Sequence, residues 1–577
     1  MIETLNSVPG GMNRVMNLKA SGTNALLRLV LPLLVLNAVL TFGNDWPGIG
    51  VVFEPRLSVE LLAGAVLLLL WTRWRGAVSL RVLSMLAGLV LLLVLLRYVE
   101  VTVPALLGRP VNLYWDGRHG WQVLRMATMD MPVWQLTGSG LLVLAGGALL
   151  FVLLRLQIVA LSEGFRRCAT SRGLVLALIA PVLFWFAQPW VGRDTRSLFA
   201  EPVSVAVYRA GTQLRDALAP GRSAALLGPS PVFSGNLNAL GRVDVILIFS
   251  EAYGAVTFDD AEIAVSLKPS RQLLAQALSD SGRGVVSARV LSPTFGGASW
   301  LAHSALLSGI DTRDPGSYDV LLTTDRPTLV SHFAGHGYRT VALMPGLQRP
   351  WPEGAYYGFS RYADADAIGY PGPAFGYWRI PDQAALALMH AQELGQPVSG
   401  RSPRFVVFPT VSSHAPFRPV PPYVGDWDAV QGVSAYSPEM LDKALAEPVS
   451  WSDPLPAYLQ SMRYSFEWLS GYMRERAASG SLIIVIGDHQ PIAAVSGRGA
   501  SWEVPVHVFS ADAALLARFE RAGFRAGLGE DAALLGSMPD LTRILLSVFN
   551  DSSDGRGDGR GDGRGDYSGG APFPIQH

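Results

Sequence analysis

At 577 residues the chain is longer than a single hydrophobic core normally covers, so at least two domains are expected. Its 46 basic and 46 acidic residues cancel, and charged residues are only 16% of the total, which excludes the basic footprint of a nucleic-acid binder. The single cysteine, Cys168, excludes a disulfide framework and leaves stability to a conventional core.

Apolar content is concentrated before residue 192. It forms five runs, 25–42, 57–74, 82–101, 140–161 and 174–191, each near the length a helix needs to cross about 30 Å of hydrocarbon. Stretches such as LLAGAVLLLLW and LAGLVLLLVLLRY have no polar face, which makes buried soluble helices the poorer reading. No small-residue cleavage site follows the first run, so it reads as an anchor. Arg14, Lys19 and Arg28 lie before or in the first run, Arg73, Arg75 and Arg81 at the second connection, and Arg155, Arg166, Arg167 and Arg172 at the fourth. Positive charge stays cytoplasmic, so residues 1–192 are expected to be a five-helix membrane domain that leaves the rest of the chain outside the cytoplasm. The third connection, 100–137, is rich in Trp and Tyr and reads as an interfacial helix or an ordered loop.

Residues 193–242 read as a linker with one amphipathic helix, VSVAVYRAGTQLRDAL. From 243 to 549, the strand-like runs VDVILIFS, YRTVALM, RFVVFPTV, LIIVI and VPVHVFS alternate with helical patterns such as SRQLLAQALSDSG and YLQSMRYSFEWLSGYMRERAASG. That alternation predicts an α/β domain with a mostly parallel sheet and helices on both faces. The final stretch, 550–577, repeats DGRG and reads as a disordered polar tail.

Polar residues stand at the carboxyl ends of three predicted strands: Glu251, His414, and the pair Asp488 and His489. Ligands of open α/β sheets collect at that edge, and carboxylate plus imidazole suits several divalent ions. A solvated Asp-His turn is the plain alternative. Between the first two strand ends lies SPTFGGASWLAHSALLSG, where glycines precede Ser299 and a helical pattern follows. Ser299 therefore sits at or near a helix start, either facing an anion or acting as an ordinary N-cap. His332, His336 and His507 read as structural or surface histidines.

FSEAYG, the GGAS segment at 296–299, SSHAPF and GDHQP resemble the successive motifs of the alkaline phosphatase and sulfatase superfamily. The resemblance is specifically to its membrane-anchored branch, which includes lipoteichoic acid synthase and the bacterial phosphoglycerol and phosphoethanolamine transferases, and it covers about 243–510. It implies that Glu251, Ser299, Asp488 and His489 hold one divalent metal, manganese first, with magnesium or zinc as alternatives. It also implies that Ser299 is the nucleophile and that His414 binds the substrate phosphate. Trp351 stands where the branch has a Trp that grips phosphoglycerol. Glu353 stands near the place of the accompanying Arg, for which Arg349 is the substitute. His303 occupies the place of a glutamate in related transferases, and either replaces it or belongs to the helix core. Ser299 is followed by Trp300, Leu301, Ala302 and His303 rather than by the sulfatase Pro-x-Arg, and no cysteine follows Cys168 to make the disulfides of lipid A-type phosphoethanolamine transferases.

The activity implied is transfer of a phosphoryl head group from a membrane phospholipid to a glycan or glycolipid, through a phosphoryl-serine, outside the cytoplasm at a bacterial inner membrane. Alternatives are a membrane-anchored phosphodiesterase, phosphatase or sulfatase-like hydrolase, and a non-catalytic scaffold in envelope polysaccharide assembly. The orientation has a direct test. Cys168 should resist an impermeant thiol reagent applied outside intact cells, and labelling from that side would reverse the assignment.

Overall fold

The computed structural model describes residues 29–128, 131–168, 171–191, 197–219, 227–349 and 351–551. Arg14, Lys19, Arg28, the start of the first apolar run and the DGRG repeats lie outside the described residues. The chain divides into two compact units, Met1–Pro104 with Pro110–Leu214, and Ala105–Arg109 with Arg215–His577.

In the first unit the five apolar runs are helical: α1 (Leu29–Thr41), α2 (Val59–Arg75), α3 (Leu80–Leu107), α5 (Val133–Cys168) and α6 (Arg172–Val191). Among the described residues, α3 and α5 are long and apolar enough to cross a membrane, and the other three are shorter apolar stretches or, for α2, 17 residues. In α5, Leu141, Leu142, Val143 and Leu144 are 67–74% exposed, apolar surface that the protein itself does not cover. The third connection contains a helix, α4 (Leu113–Thr128), with Trp121, Val123 and Leu124 exposed. The amphipathic pattern after the last run forms α7 (Val203–Ala217).

The second unit is built on a nine-stranded sheet: β1 (Val245–Ser250), β2 (Gly284–Leu291), β3 (Arg339–Leu343), β4 (Arg361–Ala363), β5 (Arg404–Pro409), β6 (Leu482–Gly487), β7 (Glu503–Ser510), β8 (Arg525–Ala526) and β9 (Leu534–Ser537). The order is β8-β2-β7-β6-β1-β5-β3-β4, with β9 also paired to β2. All six residues of β1 and of β6 are buried, as continuous apolar runs covered on both faces should be. Alternation sends Ile246 and Ile248 to one face, where α8 (Ala261–Asp280) and α10 (Leu455–Glu475) cover them. Val245, Leu247 and Phe249 go to the other, under α9 (Ser299–Ser308) and α11 (Met538–Phe549).

The sheet is mostly parallel, as expected, with five parallel pairings, and three antiparallel ones make it mixed. Strands β6, β1, β5, β3 and β4 run parallel, whereas β7, the VPVHVFS run, pairs antiparallel with both β6 and β2. The reason lies in the connection. Between Gly487 and Glu503 the only helix is the four-residue Ala493–Ser496, so the chain turns back at the same edge instead of crossing over. β2, β4, β8 and β9 add to the five strands read from the sequence. Arg289 breaks the apolar pattern of β2, and the other three are two to four residues long, too short to show a period.

His507, read as structural, is 2% exposed on β7. Ser287 Oγ donates to the Gly527 carbonyl at 2.6 Å and so accepts from His507 Nδ1–H at 2.7 Å, which leaves Nε2 to accept from Tyr253 OH at 3.0 Å. Burial pushes this imidazole down to about 3. Below its ordinary value the unfolded chain takes up a proton that the native site refuses, so stability present at neutral pH is lost as the pH falls from about 6.5 toward 3. Between pH 7 and pH 5 the loss from this residue should be about 2 kcal/mol. Denaturant titrations of wild type and His507→Gln should show their stability gap narrowing by about that amount, and a pH-independent gap would contradict the assignment.

Candidate active site

The register of the sheet brings the strand-end residues together. Ser250 pairs with Gly487 across β1 and β6, so Glu251 and Asp488 leave the sheet side by side. A side chain on Gly487 would put its Cβ 1.8 Å from the Tyr253 carbonyl, so only glycine lets the two strand ends approach this closely. Ser299 is the first residue of α9, while the N-cap is Ala298, in left-handed backbone at φ 61° and ψ 42°. Ala252, immediately after Glu251, is also left-handed at φ 56°. Each such residue costs roughly 1–2 kcal/mol, and the surroundings hold Ala252 in place: its N–H donates to Asp488 Oδ1 at 2.8 Å and its carbonyl accepts from Tyr458 OH at 3.0 Å.

Ser299 is therefore not a cap. Its hydroxyl lies 3.0 Å from Glu251 Oε2 and 3.1 Å from His489 Nε2. His489 Nδ1 is 2.7 Å from the Gln490 carbonyl, which only accepts, so Nδ1 carries a proton and Nε2 faces the cluster, free to be a ligand when a cation rather than a proton balances the carboxylates. That nitrogen is 3.4 Å from Glu251 Oε1 and 3.7 Å from Asp488 Oδ2. The ligand atoms of Glu251, Asp488 and His489 all lie within 4.8 Å of one another, and all three residues are buried.

Two carboxylates this close in a buried setting call for positive charge. Burial, with the charge of Glu251 added, holds the Asp488 carboxyl well above its ordinary range. Burial would lower His489, but the carboxylates of Asp488 and Glu251 outweigh it and hold the imidazole above its usual value. Burial would likewise raise Glu251, yet the charges of His414 and His489 pull it below the usual range. A divalent cation answers the same demand. Two carboxylates, one imidazole lone pair and one hydroxyl are a donor set that fits such an ion.

His414 follows β5 and is half-buried, with Nδ1 2.7 Å from the Ala415 carbonyl and its ring packed on Trp378 at 4.7 Å between centroids. His303, one turn along α9 from Ser299, packs on Phe249 at 4.4 Å, and burial pushes it down to about 4. Trp351 belongs to an aromatic group with Tyr357 and Tyr362, and Arg349 is exposed on the loop after β3. Among the described residues, no hydrogen bond or ion pair joins either to the four clustered residues. Thr410, Ser413, Gln490 and Trp378 support the site and were not anticipated. Their signal was proximity to the motifs for the first three, and there was none for Trp378.

No family model matches the chain, and no curated relative matches it. Solved structures do. A protein in the alkaline phosphatase superfamily from Vibrio parahaemolyticus is 16% identical, with a TM-score of 0.32, over 49% of this chain and 62% of its own. The lipoteichoic acid synthase LtaP from Listeria monocytogenes is 11% identical, with a TM-score of 0.33, over 53% and 72%. The Streptococcus pyogenes phosphoglycerol transferase GacH, solved with sn-glycerol-1-phosphate, is 12% identical, with a TM-score of 0.32, over 52% and 74%. The match spans less than two thirds of the Vibrio protein's length, 62%, and identities this low leave the chemistry to be read from the chain's own side chains.

Two variants test the cluster. Metal analysis of the purified protein should find about one divalent ion per chain, lost in Asp488→Ala. Gly487→Ala should part the strand ends, costing about 1–3 kcal/mol or more and lowering metal content, and full occupancy in either variant would reject the ligand set.

Proposed function

We propose that the chain is a membrane-anchored, metal-dependent phosphotransferase that moves a phosphoglycerol- or phosphoethanolamine-type head group from a membrane phospholipid to an envelope glycan or glycolipid. The observation that carries this reading is the Ser299 hydroxyl, released from capping at the start of α9 and within hydrogen-bonding distance of both Glu251 and His489. A hydroxyl so placed, at the positive end of a ten-residue helix, suits a nucleophile facing a phosphate.

Glu251, Asp488, His489 and Ser299 would hold one divalent ion, manganese first and magnesium or zinc otherwise. Such an ion, when bound, supplies positive charge to phosphoryl oxygens and acidity to the serine hydroxyl. Ser299 Oγ forms a bond to phosphorus as the bond to the diacylglycerol oxygen breaks, and the diacylglycerol leaves with a proton. His414, whose Nδ1 faces the Ala415 carbonyl, turns Nε2 to the phosphoryl group, and the first turn of α9 adds its dipole. An acceptor hydroxyl then attacks phosphorus and Ser299 Oγ departs with its proton restored. The uncovered apolar surface of α3 and α5 supports anchoring in a membrane, and the proposal places that membrane as a bacterial inner membrane with the sheet domain outside the cytoplasm.

Incubation with head-group-labelled phospholipid and envelope glycans, followed by mass spectrometry, should find the head group on Ser299 and then on the glycan. Ser299→Ala should lose activity by about 10³-fold or more while folding normally, and His414→Ala should lose activity but keep the metal. Label recovered only as water-soluble head group would make the enzyme a hydrolase. Undiminished transfer by Ser299→Ala would sink the covalent mechanism.

A further inference from the structure

We propose that Asp382 is the positioning residue of this site, a buried carboxylate that locks the 410–414 loop so that His414 and Glu251 are held as one piece. The kinetic part of this inference rests on the phosphotransfer reading, and the geometric part rests on hydrogen bonds alone.

Asp382 is the first residue of a short helix, Asp382–Met389, and is 0% exposed. An aspartate at a helix start ordinarily serves that helix. Here the N-cap is Pro381, with no side-chain bond, and both Asp382 oxygens reach another segment: Oδ1 accepts from Val411 N–H at 2.8 Å and Oδ2 from Ser412 N–H at 2.9 Å. Asp382 N–H in turn donates to Ser412 Oγ at 3.3 Å.

The rest of that loop grips the metal-ligand segment. Thr410 Oγ1 accepts from Glu251 N–H at 2.9 Å, Ser413 Oγ donates to the Glu251 carbonyl at 2.6 Å, and Thr410 N–H donates to the Phe249 carbonyl at 2.9 Å. His414 N–H closes the loop on the Val411 carbonyl at 3.1 Å. Each residue from 410 to 414 is thus tied to Asp382, to the end of β1, or to the loop itself. Asp382 is the one anchor in this set that comes from outside both strand ends, and its hydrogen bonds go to Val411 and Ser412 rather than to Ser299 or to the side chains of Glu251, Asp488 and His489.

Asp382→Asn separates positioning from mere folding. The amide keeps an acceptor for Val411 N–H but sets an NH₂ group against Ser412 N–H, which displaces the loop beside Ser413 and His414 while preserving volume. A shift of about 1 Å in a reacting group can cost about 100-fold.

The test uses the intact protein in detergent. Asp382→Asn should retain about one divalent ion per chain, lose hydrogen-exchange protection at Val411 and Ser412, and show kcat lowered about 100-fold with KM for the phospholipid moved less than about threefold. A kcat within about twofold of wild type per metal-loaded molecule would overturn the proposal, as would a loss of activity only in proportion to lost metal or lost folded protein. Should wild type cleave no phospholipid, the phosphotransfer reading fails by itself. Asp382 is then judged by exchange protection and by the affinity for inorganic phosphate: both should fall in Asp382→Asn, and both unchanged would overturn it.

Discussion

The site depends on one constraint, the pairing of β1 with β6. Because Ser250 faces Gly487 in a parallel ladder, the residues that follow each strand emerge together, and both are acids. A one-residue slip would turn either strand's side chains to the opposite face and separate Glu251 from Asp488. The register is secured by burial on both sides, since Ile246, Ile248, Ile483 and Val485 belong to one core and Val245, Leu247, Ile484 and Ile486 to the other. Packing over the whole sheet therefore sets a distance of a few ångströms at its edge.

Holding acidic groups that close requires that their other bonds be met by rigid parts of the fold. Asp488 Oδ1 accepts from the backbone N–H groups of Ala252 and His489. Gln490, 1% exposed, donates to the carbonyls of Ser501 and Glu503 and so ties the loop after β6 to the start of β7. Left-handed Ala252 and Ala298 show where the backbone is bent against preference so that Glu251 and Ser299 face each other. Such strain persists only where neighbours over-determine it, as Asp488 and Tyr458 do for Ala252. The same logic extends to His414, which sits on a loop held at Val411 and Ser412 by Asp382 and at Thr410 and Ser413 by the end of β1.

Electrostatics and architecture point the same way. The carboxylates raise His489 above its usual range, and the nearby imidazoles of His414 and His489 lower Glu251 against its burial. At His507 and His303 burial outweighs what their neighbours offer and pushes them down instead. One residue type is thus tuned in opposite directions by whether neighbouring acids or desolvation dominate, and only the first kind marks the place where positive charge is wanted.

By itself the sequence determined the parts whose signal is local. VDVILIFS and SLIIVIG could hardly be other than buried strands, the glycines before Ser299 announced a helix start, and the apolar runs before residue 192 declared their helices. Reading strand ends as one edge gathered Glu251, His414, Asp488 and His489, and the motif resemblance added Ser299. Tertiary structure alone decided the antiparallel course of β7, the packing of Trp378 on His414, the aromatic setting of Trp351, and the service Asp382 gives to a loop 29 residues away. The physical reason is that periodicity reports which side of an element is buried, whereas a hydrogen-bond partner is chosen by how distant segments pack. Ala252 and Asp488 meet across 236 residues, and no local pattern in either segment names the other.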